Sequence, residues 1–396
     1  MMRRAISLSQ TIDIEELGFD SGAHILVKNG LLALMPGEEV EIRGHATEWQ
    51  TQAAAWCRTQ GHGFKVIHHQ AFIRKGQAEQ QRWITRSTSM TEVLDEASSA
   101  FGLSARGAQV EIGCPEFKFR FSRREEIGSS SAAEMYQNAI NAQWNPNLAI
   151  DWSQPQSHSD ILETAVVQIL TYMVENENAA LIVPARFLGQ VHPHFREIQA
   201  LLSIQIADEA RHIDVFNRRI ALFGRTPGLS TAGGQASLKT LLEESQFGIS
   251  EFLLSVLGEG TFVNLLRFLR RFAPDPATRK IALLVAKDES RHVAFGMSHL
   301  AERLEADPDY RSKLMAAVRA RYDSLASTSG LNEEVFDSMV ILAAGSLAPD
   351  CIAAGFKEVQ KLLREMEEGR LYRVERLGFS QTEAQEVSSL HTRNFM

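Results

Sequence analysis

Cysteine is almost missing from this chain. Cys57, Cys114 and Cys351 are the only three, an odd count with no Cys-x-x-Cys spacing. That argues against a disulfide framework and against a thiolate zinc site, and it fits the reducing cytoplasm. Cys57 falls mid-helix and reads as a packed small residue. Cys114, in Gly113-Cys-Pro-Glu-Phe117, reads as a packed or solvent-facing thiol. Positive charge is not in excess either. Lys and Arg number 41 against 49 Asp and Glu, the net charge is -8, and no basic run is long enough to track a phosphate backbone. Nucleic acid is therefore not an expected partner. Long apolar runs are missing too: 166–173 and 281–286 are short and flanked by polar residues, so no membrane span is expected. Met1 to Gln10 are too polar for a signal peptide. No G-x-G-x-x-G occurs in a βαβ context, so no nicotinamide or flavin site is expected.

What is present divides by period. A chain of 396 residues carries a soft prior of two domains. Residues 1–80 read as mixed α/β. The stretch 23–30 could begin a helix or a strand, Pro36-Gly-Glu is a turn, and 39–43 alternates as a strand does. A helix over 47–59 stops at Gly61 and Gly63, and 65–68 would be a second strand. Residues 81–135 are polar and read as a connector with a hairpin over 110–121. From Ser159 the period turns helical. Helices are predicted over 161–188 (kinked or cut at Pro184), 195–223, 238–272, 278–304, 310–325 and 333–367, and Ser380 to Glu383 forms a capping-box pattern. Four long helices in succession predict a bundle with extra helices packed on it.

One pattern occurs twice: Asp208-Glu209-Ala210-Arg211-His212 and Asp288-Glu289-Ser290-Arg291-His292. Of the twelve histidines, only His212 and His292 have a Glu three residues earlier. That spacing puts carboxylate and imidazole one turn apart on one helix face, within reach of a single metal ion. Each of two such half-sites needs a further carboxylate from another helix. On the first helix Glu177 has Met173, Val174, Ala180 and Leu181 around it and points inward, whereas Glu175 has more polar neighbours. On the third helix Glu259 is flanked by Val256, Phe262 and Val263, and the upstream Glu251 lies two turns away. An isolated buried carboxylate costs several kcal/mol, and metal coordination removes that cost. A single copy could equally be a helix ion pair using Arg211 or Arg291; two copies with two inward glutamates favour metal. The six ligands are thus Glu177, Glu209, His212, Glu259, Glu289 and His292. Carboxylate and imidazole without thiolate suit iron or manganese better than structural zinc. Asp208 and Asp288 are placed to accept a hydrogen bond from the ring N–H of the histidine on the opposite helix. Phe216, Phe262 and Phe295 lie within a turn of the ligands and could line a pocket.

On these residues the chain resembles the ferritin-like di-iron oxidase and oxygenase superfamily over about residues 136 to 396. Asn176-Glu177 with Ala179-Ala180 is similar to that superfamily's first ligand helix. Ala207 to His212 and Lys287 to Phe295 are similar to its two Glu-x-x-His helices. Within it, Gln143-Trp-Asn-Pro-Asn147 and Asp151-Trp152 look like the p-aminobenzoate N-oxygenase-like branch. Two positions depart from relatives. Phe216 stands where the ribonucleotide reductase small subunit has its radical tyrosine. Val285 stands where the p-aminobenzoate N-oxygenase pattern has a further histidine. The stretches 34–43 and 55–62 resemble the TusA-like sulfur-carrier fold, but Phe19-Asp-Ser-Gly-Ala-His24 lacks its cysteine, which leaves a docking or regulatory role.

The expected fold is therefore mainly α: a ferritin-like four-helix bundle with additional helices, preceded by a small α/β TusA-like domain. The resemblance implies an enzyme with two Fe ions, or a Mn/Fe pair, and O2 as co-substrate. It would oxidise a small organic substrate such as an amine, drawing electrons from an external donor. No catalytic residue beyond the metal ligands is expected. Glu209 with Glu289 or Glu259 would bridge the metals, and His212 and His292 would be terminal ligands. A ferroxidase or iron-handling bundle, and a docking protein with a vestigial metal site, are the alternatives. The apolar helices after Glu333 could form a homodimer face.

Overall fold

The computed structural model describes residues 11–78, 82–84, 91–153, 158–326 and 333–391. Its contacts divide the chain into two units. One extends to Glu92 and adds Ser104–Glu116; the other comprises Val93–Leu103 and everything from Phe117 onward. The stretch 81–135 is thus shared between the two.

Alternation in one short strand organises the smaller unit. In Glu39–Arg43, Val40 and Ile42 are buried, while the glutamates and arginine between them turn to the other face. This strand is β2. It follows β1 (Ile12–Asp13) and α1 (Ala23–Leu32), so the ambiguous stretch after Gly22 is helix. Next come α2 (Trp49–Gln60), β3 (Gly63–Ile67) and β4 (Gln70–Arg74). The sheet order is β1-β2-β4-β3, with β1 parallel to β2 and the other pairs antiparallel. Val27, Leu31, Ala53 and Cys57 of the two helices pack with Val40, Ile42, Ala71 and Ile73 of the sheet. Cys57 is a core residue, and burial pushes its thiol up to about 12. The β3–β4 hairpin turns at His68 and His69, both at positive φ (46° and 70°). A sequence search for Asn-Gly or Gly at that turn passes over it. The hairpin expected over 110–121 does not form. Instead β5 (Trp83–Ile84) pairs with β6 (Val110–Glu111), and Phe121 bridges to Val191 in the helical unit.

The helical unit opens with short helices α3 (Arg124–Ile127), α4 (Ala132–Asn141) and α5 (Pro146–Ala149). The first long helix, α6 (Asp160–Leu188), runs through Pro184 without a break; Val183, Pro184 and Phe187 are all buried there, and that packing offsets the missing amide. α7 (Arg196–Leu222) runs back along it, so that Arg219 meets Glu163 near one end and His212 meets Glu177 midway.

The third expected helix is really two. α8 (Ala232–Glu243) stops at Glu244, whose backbone is extended. Arg186 of α6 donates to the carbonyls of Leu242 and Glu244 (2.7 Å to the latter), taking the place of further helix at that end. A new helix begins at Phe247 and continues to Phe272. It consists of α9 (Phe247–Glu251), a π-helical stretch (Phe252–Glu259) and α10 (Gly260–Phe272). By length and composition Phe247–Phe272 could cross a membrane, which short apolar runs had not suggested. Because 89% of its most apolar window is buried in the bundle, its apolarity is that of a core helix.

α11 (Pro276–Ala306) starts where Asp275 caps it, with Pro276 in the first turn. α12 (Tyr310–Leu325) follows as expected. The helix expected over 333–367 is broken as well. α13 (Glu333–Ala344) and α14 (Pro349–Arg376) meet at 116°, with Gly345 at a φ of 72° between them. α13 packs on α6 and on α14. Met339, Leu342, Leu362 and Met366 join the core that also holds Met173 and Phe216, while Phe356 and Tyr372 of α14 stay exposed. α15 (Gln381–Leu390) closes the described chain behind the Ser380–Glu383 capping box.

The protein is thus mainly helical: a ferritin-like bundle of α6, α7, Phe247–Phe272 and α11 with additional helices, and a separate small unit with a mixed sheet. The bundle holds two apolar clusters and also buries several charged residues.

Candidate metal centre

Each of the four bundle helices contributes to one buried polar centre. Glu177 comes from α6, Glu209 and His212 from α7, Glu259 from the end of the π-helical stretch, and Glu289 and His292 from α11. All six are at most 5% exposed. Their ligand atoms form two interlocked sets. Those of Glu177, Glu209, His212 and Glu289 lie within 4.8 Å of one another, and so do those of Glu209, Glu259, Glu289 and His292. Glu209 and Glu289 belong to both sets. Two half-sites sharing two carboxylates is the arrangement that a bridged metal pair requires.

The histidine rings show how protons are distributed. His212 Nδ1 faces the carboxylates, 3.1 Å from Glu209 and 3.4 Å from Glu177. Its Nε2 lies 3.1 Å from Asp288 of the opposite helix. His292 repeats this, with Nδ1 2.9 Å from Glu209 and Nε2 3.4 Å from Asp208. Each ring can therefore donate its Nε2–H to an aspartate and turn the Nδ1 lone pair inward.

The aspartates are fixed in turn. Asp208 accepts from Gln143 Nε2 (2.7 Å) and from Arg211; Asp288 accepts from Trp144 Nε1 (2.7 Å), Arg211 (2.9 Å) and Arg291. Arg211 also lies over the Trp144 ring, 4.7 Å from its centroid. Burial alone would raise both aspartates, but the histidines and their hydrogen-bond donors hold both below the ordinary carboxylate range. Gln143 and Trp144 carry no helical pattern of their own. The sequence marked them only through a resemblance, and their place on the aspartates follows from the fold.

The inner groups behave as an under-neutralised cluster. Burial, then the charges of Glu209 and Glu289, push Glu177 well above the ordinary range. Burial and then Glu289 do the same to Glu259. Burial would raise Glu209 as well, but His292 and its hydrogen bonds carry it well below. Burial disfavours charged His212 and His292, yet the surrounding carboxylates, Glu177 first for His212 and Glu209 first for His292, raise both well above normal. Both oxygens of Glu259 and of Glu289, one oxygen each of Glu177 and Glu209, and His292 Nδ1 have no hydrogen-bond partner among the described residues. Orphaned buried acceptors cost about 1–3 kcal/mol each, more when charged. Cations bound between them would satisfy every one, so this donor set fits two metal ions.

A seventh carboxylate lies close by. Glu251, at the start of the π-helical stretch, is fully buried, accepts from Ser255 Oγ at 3.1 Å, and is pushed up to about 7 by burial. It packs where Gly296 of α11 leaves room; a Cβ there would lie 3.4 Å from its carboxylate oxygen. A signal for it lay in its neighbours at helical spacing, Phe247, Gly248, Leu254 and Ser255, which are mostly apolar or small, as those of Glu177 are. Of the three expected pocket phenylalanines, only Phe295 lines a cavity described below; Phe216 and Phe262 pack in the core beside Met173 and Val285.

No protein-family model and no curated protein matches the chain. Among solved structures, the R2-like ligand-binding oxidase from Sulfolobus acidocaldarius is similar at 16% identity, over 60% of this chain and 90% of that one, with a TM-score of 0.43. A point mutant of an R2-like ligand-binding oxidase with an aerobically reconstituted Mn/Fe cofactor matches at 16% identity over 67% and 95%, with a TM-score of 0.44. Another such mutant, reconstituted anaerobically, matches at 16% over 64% and 93%, with the same score. The overlap is loose, and the assignment of the di-metal carboxylate fold rests on the chain's own four helices and ligand set.

Proposed function

We propose that this chain is an O2-activating dinuclear iron oxidoreductase acting on a small organic substrate. One observation carries the reading: two buried four-ligand sets that share Glu209 and Glu289. A pair of iron ions held there would supply the reduction of O2 and the oxidising power; a Mn/Fe pair suits the same ligands. Glu177 and His212 hold one half-site and Glu259 and His292 the other. Asp208 and Asp288 keep the imidazole protons on Nε2, so that Nδ1 stays a ligand. Burial of all six ligands excludes bulk water. Electrons would come from an external donor. Gln143-Trp-Asn-Pro-Asn147 supports kinship with the p-aminobenzoate N-oxygenase-like branch, although Val285 leaves arylamine oxidation unassigned. The β1-α1-β2-α2-β3-β4 order supports a TusA-like reading of the small unit, in a docking role.

Metal content per chain by mass spectrometry tests this, with Glu177→Ala measured alongside. About two transition metals per chain are expected in the parent, with a sharp loss in the variant. Metal well below one per chain after anaerobic Fe(II) loading would sink the proposal. Two metals with O2 uptake driven only by added Fe(II), and no organic product, would mark a ferroxidase instead.

A further inference from the structure

Next to the centre lies a cavity of about 280 Å³ between α4, α7 and α11. Its apolar walls are Met135 and Ala139 of α4, Leu201 and Ile204 of α7, and Phe295 of α11; it reaches His292, and Glu134, Asp208 and Arg291 also line it. Gln205 also lines it, one helical turn before Glu209. Gln205 is 2% exposed, and its Nε2 has no hydrogen-bond partner among the described residues. Phe216 and Val285, by contrast, are buried in core packing.

We propose that this cavity is the substrate chamber, and that its ligand is a small, mostly apolar molecule bearing an acceptor oxygen, a carboxylate or a carbonyl, which Gln205 binds through Nε2–H. The inference rests on the dinuclear reading above and specifies its substrate. Three features lead to it. An amide donor left unpaired in an apolar wall costs about 1–3 kcal/mol, and a ligand oxygen removes that cost. A mostly apolar wall with a few placed polar groups is how small-molecule sites combine affinity with orientation. The volume lies just below the usual ~300–1,000 Å³ of ligand pockets, which admits a ring-sized molecule and not a long chain. The buried carboxylate on the lining, Asp208, is engaged by Gln143, Arg211 and His292 and offers no seat for a cationic amine; the other, Glu134, is exposed to solvent. Arg291 on the same lining has an unpartnered Nε, a second donor that favours an oxygen acceptor. Because the cavity reaches His292 and not His212, the molecule sits against the half-site of Glu259 and His292.

The test is calorimetric titration of benzamide, benzoate and toluene into the full chain under anaerobic conditions, Fe(II)-loaded, with metal content measured on every sample. Benzamide and benzoate separate the carbonyl from the carboxylate, and toluene lacks the acceptor. In the parent, at least one of the two acceptor-bearing probes is expected to bind more tightly than toluene. Gln205→Leu should weaken that probe about tenfold while leaving toluene within about twofold, the scale of one lost hydrogen bond. Ala139→Phe, which fills the chamber, should abolish binding of all three. The inference is overturned if neither benzamide nor benzoate binds the parent below ~10 mM, the weakest end of measurable affinity. It is equally overturned if Gln205→Leu affects all probes alike. Metal content near two per chain in the variants keeps the dinuclear reading standing through either failure. Metal loss in the parent would break that reading without any probe.

Discussion

At the scale of single residues, the centre is a problem in charge. Four carboxylates and two imidazoles lie within a few ångströms in a dry interior, and their own hydrogen bonds leave several lone pairs unused. Without metal the cluster keeps protons: His212, His292, Glu177 and Glu259 are all raised. The sign of the linkage follows. Groups raised above their ordinary values are more protonated at pH 7 than in solution, and metal binding must displace those protons. Fe(II) loading of the metal-free protein at pH 7 is therefore expected to release protons, and affinity should fall as pH falls. Calorimetry in buffers of different ionisation enthalpy measures the release directly. A proton count of zero would mean that the metals bind elsewhere.

At the scale of elements, the helices are held in register by groups away from the centre. Arg219 of α7, fully buried, forms a bidentate pair with Glu163 of α6 (2.8 and 2.9 Å) and also bonds Asp275 (2.7 Å), the residue that caps α11. Three of the four bundle helices meet there. Arg219→Met keeps the bulk but takes the guanidinium from two buried acids, leaving Glu163 only His158 and Asp275 only Thr278, so it is expected to destabilise the helical unit by about 3–5 kcal/mol, read by chemical denaturation. Asp275 is held low; burial would raise it, but its bonds to Arg219 and Thr278 dominate. Its contribution is present above the unfolded-state carboxylate range and is lost as pH falls through the lowered folded value, so acid should reduce the difference between parent and variant. A loss under about 1 kcal/mol at neutral pH would place the triad among weak surface pairs. The π-helical stretch has a different role. Its i→i+5 turns are wider than α turns, a feature often found at functional sites. It begins after Glu251 and ends at Glu259, both of which face α11.

At the scale of the whole molecule, two separate cores predict two unfolding events. The small unit packs Val27, Ile42, Cys57 and Ile73 around its sheet, and none of these belongs to the clusters of the bundle. Ligands that bind only the folded state stabilise the unit that holds their site. Scanning calorimetry of the full chain is expected to show two transitions, with Fe(II) raising only the one of larger heat. A single transition, or two that move together on metal addition, would show the units to be one cooperative body.

The six ligands were legible in the sequence because a helix repeats locally. A Glu and a His three residues apart share a face whatever the helix packs against, and apolar neighbours at the same spacing mark Glu177 and Glu259 as inward. Caps were legible for the same reason, as Ser380 with Glu383 shows. Other features depended on partners distant in the chain. The helix break after Glu243 is made by Arg186, the strand at Val110 is paired by residues near Trp83, and Gln143 and Trp144 reach the aspartates only once α4 lies across α7 and α11. Gln205 looks like one more polar residue on a helix. Only when three helices enclose it beside His292 does its unpaired amide mark a chamber. A local period records which way a side chain faces along its own helix, and it holds no record of what the packed chain sets opposite.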